Sequence, residues 1–422
     1  VLSADGHVIT GAYTFHVKER TGAVPVNVSS RTAGATFGAL GRWIALMGSF
    51  VAGGVLWTAL FVTGRGAIGR LALAQRLLMP AAAVTLFGSG VALLGRAAEL
   101  SGRSIDGAFT EVPSLVVGSR TGTVAGLRVL VALVLLIAVA GAPLLRRAPW
   151  LAAIGILATL ALPSFGGHAS TASPAAAAVL LDVVHVLAAS AWLGGLAVLV
   201  LAWADEGPPT LRIRAEGFSR MALPAAALTI VSGVARGWWT TQSWDALTQT
   251  SSGKLILAKA AGATVMLGFG WVHRRWLADR AKDVTGFLVS MRTEMLIGAA
   301  VLAVTAVLVN TRPAVDTVLQ PVSTVATVGG VTVQMEVTPA RTGPNEVHLY
   351  FLDAKGLPSA IDAAELKVSS ASVEPRRVPL TTITASHSTA SGIQLTPGLW
   401  DFDLTLVRSG KLSTTTIEVA IK

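Results

Sequence analysis

The chain has 422 residues, 52% of them hydrophobic and 13% charged; soluble domains carry about 25% charged residues, so the composition points to a membrane protein. Its formal net charge is +10, but Lys and Arg lie in short spacers between apolar runs rather than on one polar surface, which argues against a nucleic-acid partner. There is no cysteine, which excludes disulfides, thiolate metal sites and Cys nucleophiles and leaves soft-metal chemistry to Met and His.

In chain order, residues 1–20 contain "SADGHVITGAYTFHV", which reads as a β-hairpin turning on Asp5-Gly6 with His7 beside the turn. As residue types alone these are ordinary turn chemistry, and a polar His there needs no ligand role. Residues 21–35 read as a linker. Eight apolar runs follow, at 36–63, 71–95, 122–145, 148–165, 174–203, 217–238, 254–276 and 290–310. Each comes near the roughly 20 residues that a helix needs to cross the hydrocarbon core. Pro80 and Pro224 fall inside two of them and predict kinks.

The spacers alternate in charge. Arg65 and Arg70, Arg146 and Arg147, Arg212, Arg214 and Arg220, then Arg274, Arg275, Arg280, Lys282 and Arg292 mark one side, cytoplasmic by the positive-inside bias. "SFGGHASTASP" and "TTQSWDALTQTSSG" contain neither Lys nor Arg and mark the other. Eight spans then place both termini outside the cell membrane. From 311 to 422 the composition turns to Val, Thr and Ser with period-two alternation, predicting an extracytoplasmic β-sandwich with hairpins about Gly329-Gly330 and Ser409-Gly410. The expected fold is thus an all-α bundle of about eight membrane helices over 36–310, followed by this sandwich.

Inside the fifth run lies "LLDVVHVLAASAWLGGLAVL". Ionisable residues within a span are costly and mark function by default. His185 is eleven residues beyond Pro174, roughly 16 Å deep and near the midplane, with Asp182 one turn before it on the same face. Ala191 and Gly195 form a small-xxx-small pair for close helix approach. Arg128 and Lys259 each lie six residues inside their spans, about 9 Å deep and level with Asp182. A Lys259–Asp182 ion pair locking two helices is the structural reading of that layer. Met47 and Met266 sit inside spans, where thioethers pack in most cases and can ligate Cu(I) in some. His168 lies in the loop "FGGHAST"; His348 and His387 read as surface residues of the sandwich. Neither a phosphate-binding loop nor a nucleophile–base pairing is legible, so the chain does not read as an enzyme.

"SADGHVITGAYTFHV" resembles the closing strands of the CopC copper-binding β-domain, and the resemblance implies that Asp5 and His7 belong to a Cu(II) site whose N-terminal His is not in these residues. The helices resemble the membrane domain of the CopD copper-resistance family, through His168, His185, Trp192, Gly194, Gly195, Gly253, Lys254 and Lys259. "NEVHLYFLDAKGLP" and "LTPGLWDFDL" in the tail look YtkA-like, and the order of parts is similar to fused, YcnJ-like proteins. These resemblances imply copper capture outside and passage across the membrane by way of His168 and His185, with copper ions and lipid as partners and a copper chaperone or an oxidase as a further one. Two alternatives stand beside this. A cationic layer above a mid-membrane His would also suit the propionates of a haem with His185 as an axial ligand, making an electron-transfer protein. A scaffold could instead deliver copper to an oxidase.

Overall fold

The computed structural model describes residues 33–62, 74–101, 104–141, 148–170, 172, 174–204, 207–279, 284–311, 313–315, 322–354 and 356–421. The expected N-terminal hairpin, with Asp5 and His7, lies outside the described residues. The chain divides into two compact units, residues 1–313 and 314–422.

All eight apolar runs form helices: α1 (Ala33–Phe61), α2 (Met79–Ser101), α3 (Arg120–Ala140), α4 (Pro149–Ala161), α5 (Ala175–Trp203), α6 (Pro208–Thr241), α7 (Ser251–Ala278) and α8 (Val284–Leu308). Seven are long and apolar enough to cross a bilayer, and α4 is not. Its 13 α-helical residues rise only about 20 Å at 1.5 Å per residue, against a hydrocarbon core of about 30 Å. The reason is Pro163, beyond which the chain continues only as a 3₁₀ turn, Leu162–Phe165. Pro80 likewise differs from expectation. It lies at the start of α2, where a π-helical turn, Ala74–Leu78, gives way to α-helix, so its missing N–H falls at a change of helix type. Pro224 is inside α6 as expected.

The helices approach closely where Gly removes the side chain. A Cβ on Gly41 would stand 2.3 Å from the Ala92 nitrogen, and one on Gly88 2.3 Å from the Ala45 nitrogen, so α1 and α2 pack backbone to backbone. Between α1 and α5 the contact is tighter still: a Cβ on Gly194 would lie 2.0 Å from the Phe50 carbonyl oxygen. Ser190 and Gly194 meet α1, while Gly195 of the expected small pair lies against α6, where a Cβ would stand 2.7 Å from Met221 Cε and 2.9 Å from Phe218 Cε2. The seam with α1 runs through a π turn, Ser190–Gly194. Trp57 Nε1 donates to Ser190 Oγ at 3.0 Å across the same seam. α5 is thereby the most enclosed of the long helices, with 72% of its apolar window buried, against 6% for α7.

Among its described residues the second unit is a β-sandwich of nine antiparallel strands: β1 (Val322–Val328), β2 (Val331–Thr338), β3 (Gly343–Leu352), β4 (Ala363–Ser370), β5 (Val373–Val378), β6 (Thr381–Thr384), β7 (His387–Leu395), β8 (Gly398–Arg408) and β9 (Lys411–Ile421). The sheets run β1-β2-β3-β7-β6 and β5-β4-β8-β9. Both expected hairpins form. Gly329 and Gly330 at φ 58° and 75°, and Ser409 and Gly410 at φ 50° and 72°, supply the left-handed backbone that a two-residue hairpin turn requires. Alternate residues of both sheets meet in one core, in which Phe351, Trp400 and Phe402 are fully enclosed.

Candidate functional site

The polar centre of the helical unit forms where α5, α6 and α7 meet. His185 on α5 is 8% exposed. Its Nδ1 is 3.1 Å from the Thr229 carbonyl oxygen and 3.0 Å from Ser232 Oγ, both on α6. A carbonyl only accepts, so Nδ1 carries the proton and donates it. Nε2 then bears the lone pair, and it accepts from Lys259 Nζ of α7 at 3.3 Å. Gly233 makes this possible: a Cβ there would stand 3.1 Å from His185 Cε1, so the ring lies against the bare backbone of α6.

One turn along α5, Asp182 forms its ion pair with Arg236 of α6 rather than with the expected Lys259. The correction follows from antiparallel geometry. With His185 seated at Gly233, the residue three before it on α5 faces the residue three after it on α6. Arg236 escaped the sequence reading because it stands two residues from Trp238-Trp239 and looks like an interfacial anchor. The expected cationic layer is divided as well: Arg128 is buried and directs Nη2 to Ser49 Oγ of α1 at 3.2 Å, while Lys259 goes to His185.

Further along α7, Met266 lines a cavity of about 30 Å³ together with Met47 of α1. A third thioether, Met295 of α8, joins them, and the remaining wall includes Phe50, Leu193, Gly194 and Gly298. Beyond it, His273 of α7 is clamped on both ring nitrogens by α8, with Nδ1 3.2 Å from Glu294 Oε2 and Nε2 2.8 Å from Ser290 Oγ. Glu294 is 2% exposed. Neither Met295 nor Glu294 was singled out from sequence, although a carboxylate ten residues into an apolar helix is the costly residue type that marks function. His168 begins a short 3₁₀ turn between α4 and α5.

His185 and His273 do not make an axial pair for haem. The α7 residue at the level of His185 is Lys259, fourteen residues before His273, which separates the two imidazoles by about 21 Å along the helix. Among the described residues no cluster of three or more His, Asp or Glu side chains is arranged to hold a metal. In the second unit, His348 Nδ1 and His387 Nε2 are 3.1 Å apart on the outer face of β3 and β7, and Tyr350 stacks on His387.

The helices that supply Gly233, Arg236, Lys259, Met266, His273 and Glu294 coincide with a known family. Residues 214–308, from α6 to α8, match the family described as Copper resistance protein D. The match is to this segment, under a quarter of the chain, and it is a likeness to the CopD family. The chain is also 30% identical over 200 residues to "Copper transport protein CutJ" of Bacillus subtilis (strain 168), an alignment that takes in 46% of this chain and 37% of that protein. It therefore spans little more than a third of the length of the curated relative. No solved structure matches. The CopD segment contributes two of the three helices around His185, and α5 supplies the imidazole from outside it.

Proposed function

We propose that this integral membrane protein handles copper, taking the ion from the outer face and passing it into the bundle by way of His185. The observation that carries the reading is the fixed tautomer of His185. Thr229 holds the Nδ1 proton, so the Nε2 lone pair is presented in the one direction where it meets Lys259. A neutral imidazole with one unprotonated, oriented nitrogen is a copper donor once Lys259 gives way, and the partner that fixes its tautomer is the usual outer-shell support of a metal-binding His. Lys259 occupies the position that an arriving cation would take, so ligation requires the ammonium to withdraw; it acts as a competitor for the site. Asp182 holds Arg236 and keeps that second cation off the imidazole.

The match of residues 214–308 to the copper-resistance family and the CutJ likeness support copper as the cargo. The alternation of basic spacers supports an arrangement with the sandwich outside the cell membrane and the basic loops inside. On that arrangement His168 and the N-terminal Asp5 and His7 lie on the capture side, Cu(II) is the form met by Asp5 and His7, and transport runs inward. Neither a chaperone nor an oxidase partner is needed for this path.

The test is copper uptake into vesicles that contain the purified chain and a lumenal copper indicator. Wild type should carry copper and His185→Ala should lose at least about tenfold of the flux; equal flux in the two removes His185 from the function. Lys259→Ala should tighten copper binding, and an unchanged or weaker affinity would show that Lys259 is not the competitor. A Soret band in the purified protein would turn the reading to haem.

A further inference from the structure

Lys259, Met266 and His273 recur at intervals of seven residues on α7, so they share one face and are about 10.5 Å apart. That face is the inward one: Met266 is 1% exposed and Lys259 and His273 are half-buried, while most of α7 between them is exposed. Each of the three meets a different set of partners: Lys259 reaches His185, Met266 opens on the cavity with Met47 and Met295, and His273 engages Ser290 and Glu294.

We propose that this stripe is the route of a soft monovalent cation, Cu(I), through the inner half of the bundle. Its middle station is the thioether site of Met47, Met266 and Met295, and its last is His273 supported by Glu294. The inference rests on the copper reading above and adds to it the ion's oxidation state and two binding stations; copper first held as Cu(II) takes one electron from a small-molecule reductant outside the membrane, such as a thiol, before it enters the bundle. The chemistry of the cavity selects the ion. Its lining brings three methionines together among apolar side chains and glycine, and thioether is a donor type that takes Cu(I) in preference to hard or hydrated divalent ions. About 30 Å³ is room for one water-sized occupant. Gly298 keeps the site open, since a Cβ there would lie 3.5 Å from the Met266 methyl carbon and 2.8 Å from Leu193 Cδ2.

The next donor down α7 is prepared in the same way as His185. Glu294 accepts the Nδ1 proton of His273, which leaves Nε2 as the free nitrogen, satisfied by the rotatable hydroxyl of Ser290. Both Glu294 and Met295 lie on α8, and Met291, 1% exposed, is one turn from Met295 on the same helix. The carboxylate also gives the last station the negative charge that draws a cation out of a neutral, sulfur-lined cavity.

The experiment uses the full chain in detergent and in vesicles, with Cu(I) kept reduced by ascorbate and Ag(I) as a second soft probe. X-ray absorption of the Cu(I)-loaded protein should show sulfur scatterers. The triple variant Met47→Leu, Met266→Leu, Met295→Leu, nearly volume-conserving, should lose them and lose about tenfold or more of Cu(I) and Ag(I) flux. Glu294→Gln should keep the sulfur signal and lose flux in the same range. Retained sulfur scattering in the triple variant overturns the thioether station, and wild-type flux in it overturns the route. Wild-type flux in Glu294→Gln overturns the last station. Sulfur scattering in a wild-type protein that carries no copper would uphold the site while the transport reading falls; copper flux lost in His185→Ala but not in the triple variant would do the reverse.

Discussion

The two units expose opposite kinds of residue. On the helices the large exposed side chains are apolar, among them Leu180 at 65%, Val231 at 69% and Leu296 at 67%, while Arg128, His185 and Glu294 are buried. In the sandwich, Phe351, Trp400 and Phe402 are buried, and the histidines stand on the outer face of a sheet. Solvent explains the inversion. Lipid offers no hydrogen bonds, so hydroxyls such as Ser49 and Thr85 turn back to their own helix, while His185, Asp182 and Glu294 are met from a neighbouring helix and their positions are fixed by that partner. Water can satisfy the outer face of the sandwich, where His348 and His387 are brought together by strand register and not by need: His387 pairs with Tyr350, two residues along β3 from His348.

The comparison can be broken from either side. The largest effect expected is in the sandwich, where Phe402→Ala should cost about 3–5 kcal/mol. Hydrogen exchange on the full chain should show lost protection in β4 and β8 with the helices of the first unit unaffected; equal loss in the helices would mean that the units are not separate. Asp182→Asn, in the bundle, leaves Arg236 unpaired and should cost about 2–3 kcal/mol, below a fully enclosed pair because Arg236 keeps 31% exposure. The double variant with Arg236→Gln should recover most of that in a thermal melt. Gly194→Ala places a methyl against the Phe50 carbonyl and should cost about 1–3 kcal/mol, read as a lowered melting temperature of the helical unit. The smallest effect is that of Trp57→Phe, which removes one hydrogen bond to Ser190, about 1 kcal/mol.

Apolar length and period-two alternation made both units legible from the sequence, down to the hairpins at Gly329-Gly330 and Ser409-Gly410, because those features depend on neighbours in the chain. The candidate site was legible only in part. His185, Asp182, Lys259, Met47 and Met266 stand out because ionisable or soft-donor residues are rare in apolar runs. Their pairing did not, since Asp182 and Lys259 look equally available to one another until the seat of His185 on Gly233 sets the offset between α5 and α6. Arg236 was hidden by its place near the tryptophans. Met295, with Met291 one turn before it, reads as ordinary packing until Met47 and Met266 on other helices are placed beside it, and Glu294 acquires meaning only from His273 on another helix. The π turn in α5 left no local trace either, and which small residue meets which helix appears only when the facing Gly54 of α1 and Met221 of α6 are known.

The slight burial of α7 gives the surrounding lipid a part in the site. Its 28 residues extend about 42 Å, well beyond a hydrocarbon core of about 30 Å, and a helix that is too long for its membrane tilts to fit. Because little of this helix is buried among the described residues, a thinner or thicker bilayer acts directly on its tilt, against the contacts with α5 and α8 that hold Lys259 at His185.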